Sequence, residues 1–99
     1  MSIESVNPAT GEQVAKFDEA TPEQVEAALT RSEETFREWR TRPVAERAAL
    51  FGELAKTLRA NAEELAGLVT LEMGKILAES KAEVEKCAVF CDYIAERGP

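Results

Sequence analysis

Residues 68–80 read LVTLEMGKILAES, and the Met73-Gly74-Lys75 step in this stretch interrupts an otherwise continuous helical composition. Gly74 stands just past an apolar run and just before a lysine. That arrangement is typical of a helix that ends in a left-handed residue. The stretch therefore predicts a helix that ends near Met73, a turn at Gly74, and a new helix from about Leu77.

The helix after this turn is predicted over about residues 77–97 and has apolar residues on more than one side. Its main stripe recurs at three and four positions and comprises Leu77, Ser80, Val84, Cys87, Cys91 and Ile94. Ile76, Val89, Phe90 and Tyr93 lie off that stripe. A helix that is apolar nearly all round is usually buried, so we expect this one to need partners beyond the rest of the chain.

Three earlier helices are predicted, over about residues 22–41, 45–59 and 62–73. Thr21 and Gln24 form a capping box with a proline at the first helical position, and Pro43 stops the first helix. Asn61 is expected to cap the third helix. Their apolar stripes are Val25, Ala28, Leu29, Ser32, Phe36 and Trp39; Ala48, Phe51, Leu54, Ala55 and Leu58; and Ala62, Leu65, Leu68, Val69 and Met73. Gly52, inside the second helix, indicates close backbone packing.

Residues 3–17 predict a short hairpin around the sequence NPATG. Asn7 and Pro8 suit the first two positions of a type I turn, and Gly11 supplies positive φ. A hairpin alone is marginal in water, so we expect it to lean on another element.

Composition excludes several classes of function. The chain has 99 residues, 44% of them apolar, and a formal charge of −7. Its acidic surface and lack of a basic patch argue against nucleic-acid binding, and no apolar run is long enough to span a bilayer. The polar N-terminal sequence MSIESVNPATGE does not resemble a secretory signal, which favours the cytoplasm.

Two cysteines are the first candidates for chemistry. Cys87 and Cys91 lie four residues apart on one helix face, where they are either a redox pair, two metal ligands, or two small core residues. With no histidine in the chain and no third cysteine, the core interpretation is favoured.

Other candidates also have simpler structural explanations. Lys75 is either a catalytic or phosphate-binding lysine or a residue that satisfies carbonyls at a helix end. The last is favoured because the spaced glycines of a phosphate loop are missing. Trp39 and Phe36 are expected in the core rather than stacked on a ligand. Glu72 and Glu79 are either an acid pair across the turn or a chance spacing in a chain rich in glutamate, and the chance spacing is favoured. The residues alone therefore give no catalytic, cofactor-binding or metal site.

Four pieces of the chain, in order and with their spacing, resemble the opening of an aldehyde dehydrogenase. They are VNPATGE, FREWR, ERAALFGELAKTLRANAEELAGLVTLEMGK and AEVEKCAVFCDYIAERGP. The pieces LEMGK and AEVEKCA are most similar to succinate-semialdehyde dehydrogenases. Ile76 departs from the family, which usually has proline there, and implies a softer turn.

The resemblance implies oxidation of aldehydes to acids with NAD or NADP. A cysteine thiolate attacks the carbonyl, hydride passes to the nicotinamide, and a glutamate activates the water that hydrolyses the thioester, while an asparagine holds the oxyanion. In the family these groups follow the segment that resembles this chain, in contexts (GQxC, ELGG, PWNFP) absent here. The resemblance thus places Cys87 and Cys91 at helix positions, not at the nucleophile.

We therefore expect a mostly α chain with a short N-terminal β-hairpin, residues 1–99 forming the N-terminal part of the cofactor-binding domain of an α/β (Rossmann-like) aldehyde dehydrogenase fold. The isolated piece is expected to be inactive, to bind no dinucleotide, and to be a molten, dye-binding or aggregating species. Its partners would be the remainder of the enzyme or other subunits of a homo-oligomer. Two alternatives remain: a stand-alone helical interaction module without catalysis, and a small redox protein using Cys87 and Cys91.

Overall fold

The computed structural model of the chain describes residues 2–99 and contains one hairpin followed by four helices. The strands are β1 (Ser2–Val6) and β2 (Gln13–Asp18), and the helices are α1 (Pro22–Trp39), α2 (Val44–Ala60), α3 (Ala62–Met73) and α4 (Leu77–Arg97). The prediction of a mostly α fold with a short N-terminal hairpin is confirmed.

The hairpin pairs its two strands antiparallel, with Ile3 opposite Phe17 and an irregularity between Ser5 and Val6. Its loop is wider than a type I turn, because Gly11 N–H donates to the Asn7 carbonyl at 2.8 Å and Asn7 N–H donates to the Glu12 carbonyl at 2.9 Å. The Asn7 side chain accepts from Ala9 N–H, and Gly11 has φ 77°, as its sequence predicts.

Helix α1 begins as predicted and ends two residues earlier than predicted. Thr21 Oγ1 accepts from Gln24 N–H, and Gln24 Oε1 accepts from Thr21 N–H, so both halves of the capping box are present. The helix ends at Trp39 because the following turn tightens: Thr41 N–H donates to Glu38 O rather than to a carbonyl four residues back. No residue of α1 is buried.

The core lies where α2 and α3 pack against α4. Small side chains pack where Ala55 of α2 meets Ala88 and Cys91 of α4, and Phe51 and Leu58 pack against this cluster. Ala48, near Gly98, and Gly52, near Ala95, extend the seam along α2, so α2 runs antiparallel to α4. Apart from Val84 and Cys91, the apolar residues fully buried among residues 2–99 are alanines.

Gly52 lies in a close seam between α2 and α4, as expected, although a methyl group added there would lie 3.7 Å from Ala95 Cβ, an ordinary contact that leaves room for alanine. The expectation for the start of α3 is wrong. Asn61 does not cap α3: its amide donates to the Thr57 carbonyl at 2.8 Å and closes α2 instead. The amide reaches backwards because the last carbonyls of α2 need donors as much as the first N–H groups of α3 need acceptors.

Gly74 ends α3 in the left-handed conformation, with φ 72°, as predicted. Its N–H donates to the Thr70 carbonyl at 2.9 Å. The chain then turns through Lys75 and Ile76 into α4, whose first turn has no side-chain cap. The turn folds α4 back along α3 and α2.

The molecule is a thin slab of 48 × 39 × 16 Å with a radius of gyration of 17.5 Å. A compact domain of this length has a radius of gyration of about 13 Å. The difference arises because α1 projects from the three-helix layer and the hairpin lies at its edge. Little of the chain is therefore covered on both sides.

Candidate functional site

An apolar groove lies between α2 and α4, and we call it the α2–α4 groove. It is open to solvent and has a volume of about 700 Å³. Its walls are Leu54, Leu58, Lys86, Cys87, Val89, Phe90, Cys91 and Tyr93. Lys86 supplies the one charged side chain in this lining, so the groove offers almost no hydrogen-bonding groups to a polar ligand.

The sequence creates this groove by placing small residues in the α2–α4 seam and large ones outside it. Ala55 and Ala88 let the helix backbones approach. Leu54, one position before Ala55, and Phe90, two positions after Ala88, remain exposed. Phe90 keeps 63% of its surface accessible and Tyr93 keeps 60%. The core is therefore open towards the groove, with Cys91 belonging to both.

Ion pairs stand beside the groove and link the same two helices. Arg59 donates to both carboxylate oxygens of Glu85, at 3.0 to 3.2 Å, and pairs with Asp92 at 2.8 Å. These contacts raise the pKa of the Arg59 guanidinium, mainly through the hydrogen bonds with Glu85 and then Asp92. All three side chains are partly exposed to solvent, so these ion pairs add little to the free energy of unfolding. Their main effect is to align α4 with α2.

A second, shallower apolar face runs along α1 and is lined by Ala28, Arg31, Ser32, Thr35, Phe36 and Trp39. Phe36 and Trp39 were expected in the core, and for Phe36 that expectation is wrong, since it is 60% exposed. Trp39 is half-buried under the Arg42 guanidinium, which lies 5.3 Å from the ring centroid. The stripe is regular, but none of its residues is buried.

The hairpin contacts the turn between α3 and α4. Ser5 Oγ donates to Glu72 Oε1 at 2.8 Å, and the Pro8 ring lies against Gly74. A Cβ on Gly74 would approach Pro8 Cγ to 2.9 Å, so both the positive φ and the neighbour require glycine. The expectation that the hairpin leans on another element is met here.

The two cysteines differ in environment. Cys91 is buried in the core cluster, whereas Cys87 is exposed at the groove. The prediction that both are core residues holds for Cys91 and is wrong for Cys87. The reason is that α2 and α3 cover only one side of α4, and Cys87 faces the uncovered edge.

The remaining candidates fall into structural roles. Lys75 forms an ion pair with Glu83 on α4 and makes no carbonyl contact of the kind expected. That hydrogen bond raises the pKa of the Lys75 ammonium. Glu72 accepts from Ser5 rather than sharing a site with Glu79. Within residues 2–99 no three Cys, Asp or Glu side chains come together in a group suited to a metal ion.

Two tertiary contacts have no clear signal in the sequence. Thr70 Oγ1 and Ser80 Oγ share a hydrogen bond of 2.9 Å between α3 and α4, and Ser80 is fully buried. The only hint is a serine on an otherwise apolar stripe. Arg59 has no marker that distinguishes it from the other arginines. In addition, none of the helices formed by residues 2–99 has the length and apolar character to cross a bilayer.

Comparison with known proteins gives matches along the whole chain. The sequence model of the Aldehyde dehydrogenase family matches residues 1–99. A succinate-semialdehyde dehydrogenase [NADP(+)] of Deinococcus radiodurans is 43% identical over 96% of this chain and 20% of its own length. The succinate semialdehyde dehydrogenase [NAD(P)+] Sad of Escherichia coli is also 43% identical, over 96% of this chain and 21% of its own length.

Solved structures give the same result. The succinic semialdehyde dehydrogenase of Streptococcus pyogenes, in complex with NADP+, superposes with a TM-score of 0.89 and 30% identity over 95% of this chain and 21% of its own. A 3,6-anhydro-L-galactose dehydrogenase superposes with a TM-score of 0.83 at 29% identity, over 94% of this chain and 20% of its own. The chain spans about a fifth of the length of the relatives it matches.

Proposed function

The chain belongs to the aldehyde dehydrogenase family, and we propose that it forms the N-terminal part of an enzyme that oxidises succinate semialdehyde to succinate with NADP or NAD. The observation that carries this proposal is the pair of matches to succinate-semialdehyde dehydrogenases, 43% identical over 96% of the chain. The superposition on the Streptococcus pyogenes enzyme supports it.

Residues 2–99 do not fit a dinucleotide by themselves. The α2–α4 groove is lined mainly by apolar side chains and two cysteines, and Lys86 is the one cation in its lining available to the phosphates of NADP. Binding of a pyrophosphate normally uses a glycine-rich turn at a helix N-terminus. Gly74 is the one glycine in the turn before α4, and the residue at the N-cap position of α4 is Ile76, whose side chain makes no capping hydrogen bond. We therefore assign no cofactor contact and no catalytic step to this segment.

Its proposed role is structural. The α2–α4 groove, the apolar face of α1 and the exposed edge of the hairpin are surfaces for the parts of the enzyme that hold the cofactor and the reacting groups. Their large apolar side chains, among them Phe17, Phe36 and Phe90, are more exposed than is usual on the surface of a complete globular protein.

The test is to express the open reading frame that contains these 99 residues and to follow NADPH or NADH formation at 340 nm. We expect oxidation of succinate semialdehyde, with a higher kcat/KM than for butanal, which has the same carbon chain without the carboxylate. The 99-residue chain alone should give no signal with either cofactor. Equal kcat/KM values for the two aldehydes would refute the proposed substrate. Activity of the 99-residue chain alone would refute the proposed structural role.

A stand-alone interaction module makes a different prediction for the same chain. It requires a cooperative thermal transition and a defined oligomer from residues 1–99 without any further polypeptide. Calorimetry and light scattering on the purified chain distinguish the two, because a segment with uncovered apolar faces should bind hydrophobic dyes and melt over a broad range.

A further inference from the structure

We propose that Arg42 fixes the direction in which α1 leaves α2, and that this direction is sensitive to ionic strength. Arg42 lies in the link between the two helices. The residues that contact it form what we call the Arg42 corner, which comprises Glu38, Trp39, Arg42, Glu46 and Arg47. The corner lies wholly within this segment, so it acts whatever aldehyde the complete enzyme oxidises.

Helix α1 is not held in place by the hydrophobic core. None of its residues is buried, and all the buried residues among residues 2–99 lie between Ala48 and Cys91. Packing between helices in this part of the chain involves α2, α3 and α4. At its other end α1 follows the hairpin, which contacts the α3–α4 turn through Ser5 and Pro8. The direction of α1 therefore depends on the contacts at its two ends.

At the Arg42 corner, one guanidinium contacts both helices. Arg42 Nε donates to Glu38 Oε1 of α1 at 3.0 Å, and Arg42 Nη1 lies 3.7 Å from Glu46 Oε1 of α2. The guanidinium carbon also lies over the Trp39 ring, 5.3 Å from its centroid. A planar guanidinium can present donors to two carboxylates while it lies over an aromatic ring, and a lysine ammonium lacks this shape. The side chain of Arg42 thus joins the end of α1 to the start of α2.

Two further hydrogen bonds hold the backbone of the corner. Arg47 Nε of α2 donates to the Arg42 carbonyl at 3.1 Å, and Thr41 Oγ1 donates to the Glu38 carbonyl at 2.6 Å. These bonds use backbone acceptors, so they remain possible when the Arg42 side chain is replaced. A substitution at Arg42 therefore removes the contacts between charged side chains and leaves the course of the link available.

Ionic strength should act on the charged contacts. A single exposed ion pair adds little stability, but here one guanidinium joins two carboxylates and a ring in a network. The Arg42 side chain is 39% exposed, so dissolved ions reach it. The Debye length falls from about 30 Å at 0.01 M salt to about 3 Å at 1 M, which weakens both attractions. We expect α1 to keep one direction at low salt and to rotate about the corner at high salt.

The test measures the distance between two nitroxide labels in the 99-residue chain by double electron–electron resonance. The labels are attached to Glu26→Cys in α1 and Ala49→Cys in α2, with both native cysteines replaced by alanine. Glu26 lies about 24 Å along the helix from the corner, so a rotation of α1 by about 20° moves its label by about 8 Å. We expect a narrow distance distribution at about 0.01 M salt and a broad one at about 1 M.

Four variants assign the effect to the corner. Arg42→Gln should broaden the distribution at low salt and make it insensitive to salt, and Arg42→Lys, which keeps the charge without the planar fork, should broaden it too. The matched control is Arg37→Gln, which removes an equal charge but only the contact with Glu33 inside α1. Ser5→Ala removes the hydrogen bond between the hairpin and Glu72 at the other end. Arg37→Gln and Ser5→Ala should leave the distribution as narrow as in the parent chain.

Three results would overturn the proposal: a parent distribution at low salt as broad as that of Arg42→Gln, equal widths for Arg42→Gln and Arg37→Gln, or broadening by Ser5→Ala instead of Arg42→Gln. Far-UV circular dichroism of each variant separates loss of helix from rotation of α1. If Arg42→Gln loses helix signal, the salt titration of the parent chain decides. A parent distribution whose width is unchanged between low and high salt then overturns the proposal, and one that broadens supports it.

Discussion

Phe51 and Phe90 are two phenylalanines whose replacement by alanine should differ in effect between the isolated chain and the complete enzyme. Phe51 packs on the Ala55–Ala88–Cys91 cluster inside this segment, while Phe90 faces outwards into the groove. The isolated chain should therefore depend on Phe51. The complete enzyme should depend on both.

The magnitudes follow from burial. Phe51 is only half-buried, so its truncation should cost about 2 to 3 kcal/mol, somewhat below the usual range for a buried phenylalanine. Phe90 is 63% exposed, which leaves roughly 130 Å² of a side chain of about 200 Å² still accessible. Covering that area contributes about 3 kcal/mol at 25 cal/mol per Å², and the isolated chain gains none of it.

The assay is urea unfolding followed by far-UV circular dichroism. It is applied to the 99-residue chain and to a joined protein, in which this segment replaces its counterpart in the Deinococcus radiodurans relative. Phe51→Ala should lower helix stability in both. Phe90→Ala should leave the isolated chain within about 0.5 kcal/mol of the parent and destabilise the joined protein by about 2 kcal/mol or more. A similar loss for both variants in the isolated chain would refute the assignment of Phe90 to an outside partner.

Two further predictions concern the turn between α3 and α4. Gly74→Ala should lower the free energy of unfolding by about 2 kcal/mol or more, because alanine at positive φ costs about 1 to 2 kcal/mol and its Cβ would displace Pro8. Gly67→Ala has no atom within 4 Å of the added methyl group and should raise the free energy of unfolding by up to about 1 kcal/mol. The order of the two urea midpoints checks this, and a Gly74→Ala midpoint at or above the parent value contradicts it. The hydrogen bond with Glu83 raises the pKa of Lys75 above its ordinary 10.5, so the pair's contribution to folding stability is complete below that pH and is lost as the pH rises through the raised value. Lys75→Met should remove this part of the loss of stability at alkaline pH. Identical profiles of unfolding free energy against pH for parent and variant would show that the pair contributes nothing.

The sequence by itself determined the features that depend on a few neighbouring residues. The Thr21–Gln24 capping box and the left-handed residues Gly11 and Gly74 were predicted and are present. They are local because a cap hydrogen bond spans three residues and a positive φ is a property of one. For the same reason, the order of elements, one hairpin followed by four helices, is predictable from the sequence.

The choice among local alternatives already needed the tertiary structure. Asn61 satisfies the end of α2 rather than the start of α3, and Lys75 reaches Glu83 rather than a carbonyl. In both cases the side chain had a second partner within reach, and the local sequence pattern favoured the other one. The relative positions of α3, α4 and the intervening turn decided between them.

The candidate site was determined by the tertiary structure alone. Periodicity showed that α4 is apolar on more than one side, but it does not show which side α2 and α3 cover. That depends on contacts between residues about 30 to 50 positions apart along the chain, such as Ala55 with Ala88 and Ala48 with Gly98. Those contacts bury Cys91 and leave Cys87 and Phe90 in an open groove, because a seam of alanines brings the helices close while the larger side chains are directed outwards.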